Sequence, residues 1–107
     1  MTIQNASGSQ LQFPQLVSGA CVLYRVRGYA NISPAGIVWL FDSAGEPIQG
    51  EGLAVKVPSN GGQFDIDFGA NGRPFANGVW LLATNTDALP TSIGDGPTGW
   101  FDAQFSQ

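Results

Sequence analysis

The chain has 107 residues, the length of one ordinary domain, and 43% of them are hydrophobic, so it is expected to fold rather than stay disordered. Charged residues make up only 11%, against about 25% in an average soluble domain. The net charge is −4 with just four cations, whereas binding to a phosphate backbone needs several clustered cations, so nucleic acid is not expected as a partner.

The predicted elements are all strands. Glycines and prolines divide the chain into short β-branched and aromatic runs, and no window keeps a helical period. The polar segment 1–10 is predicted to be a flexible N-terminal arm, followed by one domain over 11–107. Strands are predicted over 11–17, 21–29, 37–42, 53–57, 63–68, 79–84 and 100–105, with a Gly/Pro-rich loop over 89–98. The pattern predicts an all-β fold, a single antiparallel β-sandwich of about seven to eight strands with jelly-roll or Greek-key connections.

Alternation assigns faces to the strand over 21–29. A regular strand would place Val22, Tyr24 and Val26 on one face. Arg25 and Arg27 would then share the other face, where they are candidates for pairing with carboxylates of a neighbouring chain.

Two strands, 37–42 and 79–84, are apolar on both faces. A sandwich strand normally keeps one face in water, so the second face is expected to be covered by loops or by another subunit. We favour the subunit, because charge is depleted at the cores of interfaces. The candidate interface residues are Val38, Trp39, Leu40, Trp80 and Leu82, together with Arg25 and Arg27.

The residues needed for common catalysis are missing. The chain has no histidine, which removes the usual general base and most transition-metal sites. Its single cysteine, Cys21, lies in an apolar run and is predicted to be a small buried hydrophobe. Asp65 and Asp67 share a strand face about 7 Å apart, an arrangement more typical of a solvated strand than of a glycosidase pair. We therefore expect no enzyme activity, no cofactor and no metal.

Neither a membrane span nor a signal peptide is predicted. No stretch approaches about 18 apolar residues, and the N-terminal segment lacks the basic and apolar regions of a leader.

Two segments resemble small structural proteins encoded by tailed bacteriophages. The first is GIVWLFDSAGEP over 36–47, and the second is FANGVWLLATNT over 75–86. The resemblance covers about a quarter of the chain, and the Ser-Thr-Thr typical of those proteins is replaced here by Thr84, Asn85 and Thr86. It implies a virion structural role, as a head decoration, head fibre or tail accessory protein, and a place in a particle assembled in the host cytoplasm.

Two functions follow from these observations. The first is a capsid decoration (cement) protein, a homo-oligomer with a trimer favoured, docked on a major capsid or other virion protein. The alternative is a carbohydrate- or receptor-binding β-module, on a tail or free. The aromatic side chains that could form a sugar-stacking platform are Tyr24, Tyr29, Trp39, Trp80 and Trp100.

Overall fold

The computed structural model describes residues 2–31, 36–47, 51–59, 62–84 and 98–107. Residues 85–97, which hold most of the predicted 89–98 loop and the end of the second phage-like segment, lie outside them. No apolar helix of membrane-spanning length occurs in the described ranges. The strands there are β1 (Gln4–Gln10), β2 (Gln12–Ser18), β3 (Cys21–Ala30), β4 (Ile37–Asp42), β5 (Leu53–Pro58), β6 (Gln63–Asp67), β7 (Arg73–Phe75), β8 (Gly78–Thr84) and β9 (Thr98–Ser106).

The strands form two antiparallel sheets packed face to face, so the predicted all-β sandwich is confirmed. Sheet A has the order β1-β9-β3-β6. The short strand β7 pairs with the N-terminal end of β3, whereas β6 pairs with its C-terminal end. Sheet B has the order β2-β8-β4-β5. The finer assignment of the fold as a jelly roll or Greek key stays a prediction, for which these two strand orders are the relevant observation.

The predicted flexible arm is wrong for most of its length. Residues Gln4–Gln10 form β1, which pairs antiparallel with β9 from Gln4 opposite Phe105 to Gln10 opposite Thr98. The segment is polar because β1 is an edge strand whose outer side faces water. Composition alone does not distinguish such an edge strand from a disordered arm.

A bulge in β3 overturns the predicted alternation. The register between β3 and β9 shifts between Leu23 and Arg25, so one extra residue lies in β3 at Tyr24. Before the shift Leu23 is buried, and after it Val26 is buried. Tyr24 is half-buried, and its hydroxyl lies 2.9 Å from the Ser106 hydroxyl. Val22 and Tyr24 therefore do not share the buried face of Val26.

The main core lies between the sheets. Sheet A contributes residues such as Leu23, Val26 and Phe101, and sheet B contributes Val79 and Leu81. Burying such side chains is the main source of stability in a domain of this size.

Cys21 belongs to this core, as predicted. Burial raises the pKa of its thiol, and the nearby negative charge of Asp42 raises it further. Because the thiolate is the reactive form, we expect Cys21 to react much more slowly with a thiol reagent at pH near 8 in the folded chain than in urea. Equal rates in the two conditions would contradict this placement.

Candidate functional site

The outer face of sheet A carries three rows of side chains that cross β6, β3 and β9. Antiparallel register places directly opposite residues on one face, so each row is made of cross-strand partners. The first row is Gln63, Tyr29 and Trp100; the second is Asp65, Arg27 and Asp102; the third is Asp67, Arg25 and Gln104. Neighbouring rows are about 7 Å apart along the strands.

The first row contains the two exposed aromatic rings of this face. Tyr29 is 39% exposed and Trp100 is 47% exposed, although they lie on two central strands of the sheet. They are direct cross-strand partners, so their β-carbons lie about 5 Å apart. We call this pair the aromatic shelf.

The second and third rows are held by ion pairs. The Arg25 guanidinium donates to both carboxylate oxygens of Asp65, with the Nε to Oδ1 distance 2.8 Å. Arg27 lies 3.7 Å from Asp102, from its Nε to Oδ2. Both predicted contact arginines therefore find their carboxylates within the same chain. Asp67 accepts a hydrogen bond from the Gly69 amide and caps the turn after β6.

The Arg25–Asp65 pair should make a small, pH-dependent contribution to stability. Hydrogen bonding from Arg25 is the largest cause that lowers the pKa of the Asp65 carboxyl in the folded chain. A lowered folded-state pKa stabilises the fold above the unfolded value of about 3.9 and ceases to do so as pH falls through the folded value. The free energy of unfolding of Asp65→Asn should thus lie slightly below that of the wild type at neutral pH.

Urea unfolding of both proteins across the acid range tests this expectation. The difference should shrink as pH falls below about 3.9, and it should be small throughout because both side chains are exposed. Arg25→Gln should behave in the same way. A difference that stays constant down to the lowest pH would assign the effect to another cause.

A glycine allows the strands under the shelf to approach closely. A Cβ built on Gly28 would lie 2.1 Å from the Trp100 carbonyl oxygen and 2.7 Å from the Phe64 ring. Gly28 is the partner of Phe64 in β6 and of Phe101 in β9, so the close contact lies where all three strands meet. The backbone positions of Tyr29 and Trp100 depend on this contact.

An open groove of about 680 Å³ lies over these rows. It is lined by the shelf, by both arginines, by polar residues of β6 and by Pro58 at the end of β5. Its volume is within the range of about 300–1,000 Å³ of small-molecule sites. Among the described residues, no three acidic or cysteine side chains converge to hold a metal ion.

The predicted interface residues of sheet B lie elsewhere. Val38 and Leu40 face the core between the sheets and are fully buried, so neither is available to a partner in this fold. Trp39 and Leu82 are partners on the other face, where they form a second apolar cluster with Phe41. Trp39 is only 2% exposed within the single chain. The second faces of β4 and β8 are thus largely covered without another subunit.

The polar atoms of this second cluster are satisfied inside the chain. The Trp39 indole donates to the Thr84 hydroxyl at 2.8 Å, and Lys56 lies over the Trp39 ring with Nζ 5.1 Å from its centroid. Trp80 is half-buried and donates its indole N–H to the Ser43 carbonyl at 2.9 Å. Of the five predicted apolar interface residues, Trp80 is the one whose side chain stays partly exposed.

The structure therefore separates the five aromatic residues that were predicted together. Tyr29 and Trp100 are exposed and adjacent, whereas Trp39 is buried and Tyr24 and Trp80 are half-buried. Sequence reasoning did not place Gln63 beside the shelf. The sequence did contain a signal for the position of Gln63: the alternation of the strand places Gln63 on the same face as the solvated Asp65 and Asp67.

Comparisons of the chain with known protein families, curated proteins and solved structures find no match.

Proposed function

We propose that the chain is a non-enzymatic structural module of a tailed-phage particle, of the capsid-decoration type, that presents the outer face of sheet A as a recognition surface. The aromatic shelf carries this proposal. The core of the domain is already filled by other side chains, so two exposed rings on rigid central strands are better explained by a ligand than by folding. Aromatic rings fixed on strands also lose little conformational entropy when they bind.

Three further observations support this function. The 107-residue sequence has no histidine, which disfavours acid–base catalysis. Its two phage-like segments include β4 and β8, the central strands of sheet B. The scarcity of charged residues suits a protein that is permanently bound to a larger assembly, because charged residues are depleted at the cores of interfaces. The expected docking partner in the particle is the major capsid protein or another virion protein, bound through a surface other than the outer face of sheet A, which is left for a further ligand.

Mass spectrometry of purified particles tests the proposal. Particles made from the genome that encodes this chain should contain it in many copies, and deletion of its gene should leave particles without it. Particles that lack the chain in the wild type would overturn the virion role.

We also propose that the chain is a homo-oligomer, with a trimer favoured, and that Trp80 is its main predicted contact. The mass in solution should then be three times the chain mass of 11.2 kDa. Trp80→Ala should reduce it to the mass of one chain, whereas Trp100→Ala should not. A single-chain mass for the wild type at micromolar concentration would contradict self-association.

A carbohydrate- or receptor-binding module, on a tail or free of any particle, is the second candidate. The observation in its favour is that the shelf lies beside polar side chains rather than inside an apolar patch. Binding of a ligand by a chain that is absent from particles would select this alternative.

A further inference from the structure

We propose that the groove over the aromatic shelf binds an uncharged oligosaccharide, with one sugar ring stacked on Trp100 and Tyr29. This inference rests on the proposed role of the outer face of sheet A as a recognition surface, and it names the ligand class. Four observations support it: the exposed rings, the shape of the groove, its charge and its hydrogen-bonding groups.

The rings provide the apolar contact. A sugar ring presents one face of C–H groups, and the face of an aromatic ring carries the negative part of its quadrupole, so the two attract when stacked. The cross-strand pairing of Tyr29 and Trp100 brings both side chains to one face, and both line the groove. The groove is open rather than enclosed, so it suits a chain of sugars lying on the surface better than a small molecule that needs an enclosed cavity.

The charges of this face leave little attraction for an anionic ligand. The groove is lined by Arg25, Arg27 and Asp65, and two further carboxylates, Asp67 and Asp102, lie on the same face outside its lining. Both guanidinium groups are already paired with carboxylates of the same face. Stacking on aromatic rings also occurs in single-stranded nucleic-acid binding, but that needs a positive groove along the backbone. A neutral ligand can stack on the rings without needing a positively charged groove.

The polar side chains suit hydroxyl groups, which both donate and accept hydrogen bonds. Gln63 is exposed in the aromatic row and offers one acceptor and two donors. Arg27 keeps donor capacity, because its one ion pair on this face is long and half of its side chain is exposed. Asp65 is held in place by Arg25 and retains lone pairs for a ligand hydroxyl. The hydrogen bonds from Arg25 orient Asp65 before a ligand arrives, which favours specific binding.

A protein partner fits this face less well. The core of a protein–protein interface is a continuous apolar patch, and the shelf is bordered on β3, β6 and β9 by charged or amide side chains. The other large exposed hydrophobic side chains among the described residues, Ile3 and Leu53, precede β1 and begin β5. They do not belong to the three rows.

The test is a titration of the 107-residue chain with neutral oligosaccharides, monitored by tryptophan fluorescence and calorimetry. Maltohexaose, cellohexaose, chitohexaose and a mannan hexamer serve as neutral probes. A heparin hexasaccharide and a ten-residue single-stranded DNA serve as anionic probes. We expect saturable binding of at least one neutral probe at millimolar concentration or below, and weaker binding of both anionic probes.

Variants connect the binding to the shelf. Trp100→Ala and Tyr29→Ala should each weaken it by about tenfold or more, whereas Trp100→Phe should keep most of it. Gln63→Ala should weaken it less. Leu53→Ala is the matched control, since it removes an exposed apolar side chain outside the groove, and it should bind like the wild type. Urea unfolding of each variant separates lost binding from lost folding.

The inference is overturned if no neutral probe binds, if either alanine variant binds like the wild type, or if an anionic probe binds more tightly. Occupation of the shelf by a virion protein, seen as a footprint on Trp100 in intact particles, would overturn it as well. These outcomes are independent of the particle test. A chain found in particles that binds no sugar leaves the virion role intact, and a chain that binds sugar but is absent from particles removes only that role.

Discussion

Trp39→Ala is expected to lower the free energy of unfolding by about 3–5 kcal/mol, the range for removing a large buried aromatic side chain. Trp39 is 2% exposed, packs in the second apolar cluster with Phe41 and Leu82, and donates a hydrogen bond to Thr84. The substitution leaves a cavity and removes the indole donor. For a domain of this length, whose total stability is about 5–15 kcal/mol, this is a large fraction. Urea unfolding monitored by far-UV circular dichroism measures it.

Trp100→Ala is the matched control, since it removes the same side chain from an exposed position on the other sheet. It should change the free energy of unfolding by less than about 1 kcal/mol. Trp39→Phe should lie between the two, because it keeps most of the volume and loses the hydrogen bond. If Trp39→Ala leaves stability unchanged and alters the mass in solution, the second cluster is a subunit contact after all.

Gly28→Ala is expected to destabilise the chain by about 1–3 kcal/mol or more, the cost of overpacking a tight contact. The added Cβ would lie 2.1 Å from the Trp100 carbonyl oxygen and 3.0 Å from the Phe101 Cα, and both are backbone atoms that a rotamer change does not move. Relief requires β9 to shift away from β3. Because Trp100 lies on β9, the same shift would also displace the shelf, so the variant should bind ligand more weakly.

Gly45→Ala is the control for this prediction. No atom lies within 4 Å of a Cβ built there, and the residue is exposed after β4. Its free energy of unfolding should stay within about 0.5 kcal/mol of the wild type. Equal stability of the two alanine variants would show that the contact at Gly28 relaxes without cost.

Under the proposed function, the outer faces of the two sheets have different roles. On sheet B the outer face is largely closed by the second apolar cluster, and substitutions of its buried residues Trp39, Phe41 and Leu82 should act on folding. On sheet A the outer face remains open, and its ion pairs orient side chains at the surface with little effect on stability. Exposed substitutions at the shelf should therefore change binding while leaving the fold intact.

The fold class and most of the strands follow from local sequence. Residues Ile37–Asp42 form a strand with the predicted bounds, and Phe64 and Ile66 alternate with Asp65 and Asp67 as predicted. These features depend on period-two patterning and on turn residues, which act over a few neighbours. The strands β1 and β7 were missed, because β1 has no large apolar side chain and β7 has only three residues with a proline among them.

The low charge, the absence of histidine and the two-faced apolar strands are thus properties that the sequence alone determines for this protein. The tertiary structure decided which faces are covered and which side chains meet. Whether Tyr24 follows Val26 into the core depends on the register of β3 against β9, and the pairing of Tyr29 with Trp100 joins strands far apart in the chain. Likewise, Trp39 needed no subunit to be buried. Alternation assigns a residue to one of two faces, but exposure and long-range pairing are set by the packing of the whole chain, so the candidate site became visible only in the folded molecule.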